Sequence, residues 1–373
     1  MTQDNFFASK RPWSKIKDAI LDSYMSPYFA KLAHSTDKFL IIDAFAGPGK
    51  FEDGSSGSPL IICQAAERHA KDRYEAIFIN LDEDHHQTLS AILQKSGYHN
   101  AKAIHGDSRD VLRDIHARLK EPLTIFLYLD PFGISPVSFD LIKPFLERDP
   151  RYSTEILINL QAPVLHRLAA RNAFLENPNS EEVLTFHETL SNVLGGDYWR
   201  KTMLAEGLQA REREETVVKG YRSLLSHNKY LKFTGACPIQ DSRLSRAKYY
   251  MIFASRHMDA MKLFNDQMLK AFEEHMNRQE VEETLFADMT WKDWRTLDAL
   301  KKIIVNHVEK HQGRTRVALW DLIVQQHFMR FSSSEYRKAM KELLQEKLIH
   351  SPTKRRSDSV LNDDCEIYVG SGS

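Results

Sequence analysis

The chain of 373 residues predicts an α/β fold: an open, doubly wound sheet of seven strands, followed by a small, mostly helical unit. Three observations carry this. From Phe39 to Pro59 an apolar run, a glycine loop and a helix start follow one another; apolar strand-like runs recur six more times; and from Trp294 the pattern turns to short amphipathic helices. A chain of this length has room for two cores.

Taken in order, Trp13 to Leu32 places apolar residues at three- and four-residue steps, which predicts a lead-in helix interrupted near Pro27 and covering an edge or face of the sheet. Phe39 to Ile42 is uniformly apolar, as a buried parallel strand is, and Asp43 stands at its end. Gly47 and Gly49 permit a sharp turn and close backbone approach, while Ser58 and Pro59 read as the cap and first residue of a helix. This is a crossover of the dinucleotide type. It is not a phosphate loop, because Phe51 stands where a Ser or Thr would hold magnesium.

Ala76 to Leu81 gives the second strand, with Asn80 and Asp82 at its carboxyl end, where such folds place a ribose-binding acid. Asn80 holds the position expected to be acidic, so the ribose contact is open between the two. Leu89 to Gly97 predicts a helix closed by glycine. Ala101 to His105 is a short third strand ending at Asp107 and Ser108; Asp107 reads equally as an acceptor for an adenine amino group and as the cap of a helix from Arg109 to Leu119. Leu123 to Leu129 is long and apolar, hence central, and runs into Asp130-Pro131-Phe132-Gly133. Ile156 to Leu160 is the fifth strand. The stretch of about 163–230 is helical and charged, an insertion of the kind that builds a substrate-side cap or a partner surface. Leu231 to Ile239 and Tyr249 to Ser255 predict a closing antiparallel pair at the sheet edge, and Arg256 to Gln279 a helix.

The boundaries expected are 1–285 for the sheet domain and 290–370 for the second. In the latter, Leu297 to Val308, Val317 to Gln326 and Glu335 to Glu346 predict three helices, and Leu348 to Ser351 with Glu366 to Val369 a two-stranded wing: a winged helix-turn-helix. Its third helix carries Arg337, Lys338 and Lys341, and its wing tip Lys354, Arg355 and Arg356, candidates for contact with DNA or RNA; a protein-docking role fits the same elements.

Lys plus Arg and Asp plus Glu both total 51, which excludes any whole-chain electrostatic case for nucleic acid, although the end from Trp291 is mildly basic. The three cysteines lie far apart without metal-ligand spacing, and the histidines form no metal or triad pattern. No metal is expected. With no signal-like or membrane-length apolar segment, a soluble cytoplasmic setting is expected.

Asp43, Phe45, Gly47 and Gly49, as DAFAGPG, resemble the first motif of S-adenosylmethionine-dependent methyltransferases. Asp130, Pro131 and Phe132 resemble the Asp-Pro-Pro-Tyr signature of enzymes that methylate amino groups of bases, with Phe132 at the second proline and Gly133 at the aromatic. WSKIK, DAFAGPG with GSP, DPFG and YYMIFASRH, in this order, resemble the three-Cys-motif partner protein (TcmP) family over about residues 10–275. The resemblance implies a Rossmann-like class I methyltransferase sheet and a partner similar to radical S-adenosylmethionine proteins; the three cysteines of the name belong to that partner. With it, S-adenosylmethionine is expected over Asp43, Phe45, Gly47, Gly49, Asn80, Asp82, Asp107 and Ser108. Two functions stay open: methyl transfer to a base amine, and a non-catalytic partner protein with a nucleic-acid- or protein-binding tail.

Overall fold

A computed structural model describes residues 12–33, 38–119, 123–131, 137–227, 230–239, 246–282, 296–352 and 362–370. Phe132, Lys354, Arg355 and Arg356, named above as site candidates, lie outside these. The described chain forms two compact units, Met1–His257 and Met258–Ser373.

The first unit holds a seven-stranded sheet of β1 (Lys38–Asp43), β2 (Tyr74–Asn80), β3 (Ala101–His105), β4 (Leu123–Leu129), β5 (Thr154–Gln161), β6 (Phe233–Ile239) and β7 (Tyr249–Ser255). Their order is β3-β2-β1-β4-β5-β7-β6. Strands β1 to β5 pair in parallel, while β7 runs antiparallel to both β5 and β6. The closing antiparallel pair expected from sequence is present at one end of the sheet, with β7 inside it and β6 at the edge. Every residue of β7 is buried, whereas β6 alternates, and that burial places β7 inside and β6 at the rim.

Helix α1 (Pro12–Leu32) runs through Pro27 without the expected interruption. Tyr24, Met25, Tyr28 and Phe29 are buried on both sides of the proline, and such tertiary packing outweighs one missing backbone donor. Tyr24 packs on Phe126 of β4 and Phe253 of β7, so α1 covers a face of the sheet. The crossovers are α2 (Ser58–Ala70), α3 (Glu83–Lys95), α4 (Ser108–Arg118) and α5 (Phe139–Leu146). Helix α3 begins six residues before the start read from sequence, because Asp82 caps it through the backbone N–H of His85. The insertion is helical as expected: α6 (Ala162–Ala169), α7 (Arg171–Glu176), α8 (Glu181–Leu194), α9 (Arg200–Met203) and α10 (Ala210–Leu225). Its apolar faces, among them Leu165, Leu190, Val217 and Tyr221, join the core beneath β4 and β5.

The second unit contains α11 (Met258–Glu282), α12 (Leu297–Lys310), α13 (Arg316–Gln326) and α14 (Ser333–Gln345), with short strands β8 (Arg314–Thr315), β9 (Ile349–His350) and β10 (Glu366–Val369). Helix α11, placed with the sheet domain in the sequence reading, sits with this unit: the Asn265 amide accepts from Met329 N at 2.7 Å and donates to Phe331 O at 2.9 Å. The small sheet has three antiparallel strands in the order β8-β10-β9, one more than expected. Helices α12, α13 and α14 start at Thr296, Thr315 and Ser332, and Ser332 with Glu335 forms a capping box. No helix among the described residues is long and apolar enough to cross a membrane.

Candidate functional site

The site is built at the carboxyl ends of β1 and β4, neighbours in the sheet, where a crevice for ligands opens in folds of this kind. Asp43 ends β1 fully buried. Its Oδ1 accepts from Phe45 N at 3.2 Å and its Oδ2 from Ser58 Oγ at 2.7 Å, so one carboxylate ties the strand end to the start of α2. Ser58 is thus the first residue of α2 and not its cap, which is Gly57; the hydroxyl serves Asp43 instead. Burial raises the Asp43 pKa to about 7, against the pull of the Ser58 and Phe45 hydrogen bonds.

Between them runs the glycine loop. Gly49 has φ +86°, and a Cβ there would lie 2.8 Å from Leu89 Cδ1, so both backbone and space require glycine. Its carbonyl accepts from Gly57 N at 2.8 Å and closes the loop. Asn80, at the end of β2, donates its amide to Ala46 O at 2.6 Å and Gly47 O at 3.1 Å. It is 1% exposed, and its Oδ1 has no partner among the described residues. The residue read as a ribose contact therefore holds the loop, and its unpartnered Oδ1 is the acceptor left over. Beside it Leu81 is 74% exposed, an apolar shelf that the pattern of a strand end does not single out.

Asp82 and Asp107 are helix caps. Asp82 Oδ1 accepts from His85 N at 2.9 Å. Asp107 Oδ1 accepts from Arg109 N at 2.8 Å, and its carboxylate also meets the Arg109 guanidinium, whose hydrogen bonds hold the pKa below the usual range. Of the two readings of Asp107, the cap is the one with partners in place; Ser108 opens α4 beside it.

Asp130 follows β4. Lys17 of α1 pairs with its Oδ2, and Asn159 of β5 donates to its Oδ1 at 2.9 Å and to Tyr128 OH at 3.2 Å. Gln161 donates to Pro131 O at 2.6 Å. Burial lowers the Lys17 pKa, but Asp130, Asp18 and Asp43 outweigh it and leave it raised, so Lys17 is an ammonium. One pocket is lined by Ser14, Lys17 and Asp18 of α1, by Gly47 to Phe51 and Gly57 to Pro59, and by Asp130. The structure thus joins the glycine loop to Asp130 and keeps Asp82 and Asp107 on their helices.

Sequence reasoning missed Ser14, Lys17, Asp18, Asn159 and Gln161. Ser14, Lys17 and Asp18 share one helical face at spacings of three and four, a signal visible in and just after WSKIK. Asn159 interrupts an apolar strand, which is equally visible. Cys63 and Cys237 have thiols raised by burial and lie among the buried free cysteines, so neither is a ready nucleophile.

No family model matches the chain, and no curated protein does. Solved structures similar to it include an rRNA methylase from Streptococcus thermophilus, with 13% identity over 66% of this chain and 96% of that one at a TM-score of 0.30. Another is the O-methyltransferase from Bacillus cereus in complex with SAH, with 10% identity over 67% of this chain and 93% of that one at a TM-score of 0.32. Likenesses this distant carry no chemistry across; the weight rests on strand order and on the residues at the strand ends.

Proposed function

We propose that the chain binds S-adenosylmethionine at the β1–β4 edge and transfers its methyl group to an amino group, with a nucleic-acid base as the target class. The observation that carries this reading is the pocket shared by the glycine loop and Asp130. The residues fit the cofactor: the carboxylates of Asp18 and Asp130 face a pocket that would hold a sulfonium and an ammonium, Asn80 Oδ1 is a buried acceptor without a partner among the described residues, and Leu81 offers an apolar surface. When bound, the cofactor supplies an electrophilic methyl group. The protein's part is orientation. Asp130 and the Pro131 carbonyl accept hydrogen bonds from the target amine, Asp130 takes up its proton, and Asn159 and Gln161 hold both acceptors in place.

The partner reading keeps one specific observation: both Asp130 oxygens already have protein partners. In that reading the fold is retained as a partner of a three-Cys-motif protein. The second unit, with α14 following α13 and a small sheet behind, is read as a winged helix-turn-helix; Arg337, Lys338 and Lys341 stand on α14 and serve as its phosphate contacts.

Titration calorimetry of the full chain with S-adenosylmethionine and its demethylated product SAH, followed by transfer of labelled methyl to bulk RNA and bulk DNA, tests this. Binding with transfer that disappears in Asp130→Asn is expected. Binding without transfer selects the partner reading, and no binding removes the cofactor. For the tail, replacing Arg337, Lys338 and Lys341 by Ala in the full chain should flatten the salt dependence of duplex binding, by roughly 0.9 in slope for each phosphate no longer neutralised. An unchanged slope removes α14 from the interface.

A further inference from the structure

The Lys17–Asp130 ion pair covers an atom that the proposed reaction needs. Lys17 Nζ lies on Asp130 Oδ2, where a target amine would donate, and Asn159 occupies Oδ1. Helix α1 cannot withdraw as a body, since Ile16, Ile20, Leu21 and Tyr24 are fully buried. The lysine side chain, a charge on a four-carbon stem, is the part that moves. It also lines the pocket of the glycine loop, so its ammonium feels the charge of whatever the loop holds.

We propose that Lys17 guards Asp130 according to the charge on the cofactor's sulfur, leaving the carboxylate when a sulfonium shares the pocket and returning to it when the sulfur is a neutral thioether. This rests on the cofactor placement proposed above. Two cations beside one carboxylate repel each other and compete for it, so the Lys17–Asp130 ion pair is weakened by the methyl donor and not by the spent product. The acceptor is then uncovered when a methyl group is present to be transferred, and covered again afterwards. Lys17 is a positioning residue here: it acts through Asp130, covering or uncovering its Oδ2.

The effect is a ratio of two affinities, which cancels changes common to both ligands, such as a smaller folded fraction or a weaker hold on the shared parts of the two molecules. Calorimetry of the full chain with S-adenosylmethionine and SAH measures it. In Lys17→Met the preference for the sulfonium form should rise by roughly three- to thirtyfold, the range for removing one nearby like charge in a partly buried site. In Asp130→Asn it should fall by a similar factor, and Lys17→Arg should restore the original ratio. As a second readout on the unaltered protein, an amine-acylating ester should label Lys17 faster with S-adenosylmethionine bound than with SAH bound, read by peptide mass. A ratio unchanged in Lys17→Met and Asp130→Asn, or equal labelling in the two complexes, overturns the guard while leaving the cofactor placement standing. Failure of either ligand to bind the unaltered protein removes the placement and the guard together.

Discussion

Two halves of the same sheet edge carry acidic or amide residues in similar positions and use them differently. At β1 and β4, Asp43 and Asp130 reach partners far along the chain: Ser58 in one case, Lys17 and Asn159 in the other. At β2 and β3, Asp82 and Asp107 turn to the helix two or three residues ahead and cap it. Asn80 belongs with the first half although it stands on β2, since its amide holds loop carbonyls more than thirty residues away in sequence. A polar residue at a strand end thus belongs with the candidate site where a group distant in the chain holds it, and is a cap where the next helix starts at once.

The largest test of this division is Gly49→Val. A β-branched residue at φ +86° meets both backbone strain and Leu89, so a loss of about 3 kcal/mol or more is expected in urea unfolding, together with loss of cofactor affinity. A folded variant of near-native stability would show that the loop is not held as described.

Asp43 comes next. Its pKa is raised from 3.8 in the unfolded chain to about 7 in the folded one, chiefly by burial. The folded state therefore keeps the proton longer: the stabilisation is full below about pH 4 and lost as pH rises through about 7. Glu155, buried and also raised to about 7, adds in the same direction. Between about pH 5 and pH 8 each group should remove roughly 2–3 kcal/mol, so Asp43→Asn should lose about half of the pH dependence and not all of it. Denaturation curves at the two pH values read this; a dependence as steep as in the unaltered protein would mean that Asp43 is solvated.

Asn80→Ala leaves the carbonyls of Ala46 and Gly47 without their donor, and should destabilise by about 1–3 kcal/mol while weakening cofactor binding. Stability lost with affinity intact would make Asn80 a structural residue alone.

Much of the fold is legible in the sequence because it rests on local pattern. The uniformly apolar runs of β1, β4 and β7 admit only buried strands, and the helical insertion follows from composition. The pairing of β7 with β6 is legible as a closing pair, but its pairing with β5 is not, since that is a matter of long-range packing and not of period. At the site, the glycine loop and Asp130 are legible as strand ends. Lys17 is legible only as sharing a helical face with Ser14 and Asp18; its role depends on a carboxylate 113 residues away, which its own segment does not reveal. Asn80 misleads for the opposite reason, because its position suggests a role that its long-range hydrogen bonds assign elsewhere.

The smallest effect expected comes from Asp107, and it decides the comparison most directly. As a cap it satisfies Arg109 N and draws in the Arg109 guanidinium, itself exposed, so Asp107→Ala should cost about 1 kcal/mol of stability and leave cofactor affinity within error. As an adenine contact it would accept from an amino group, and its removal would lower affinity about tenfold with little change in stability. Asp107→Ser separates the two, since a serine hydroxyl caps a helix almost as well as a carboxylate and accepts from a more distant amine poorly. Stability restored and affinity unchanged in Asp107→Ser keep Asp107 with the caps of the β2–β3 half. Stability restored with affinity still low would move it across to the site and leave Asp82 as the cap of that half.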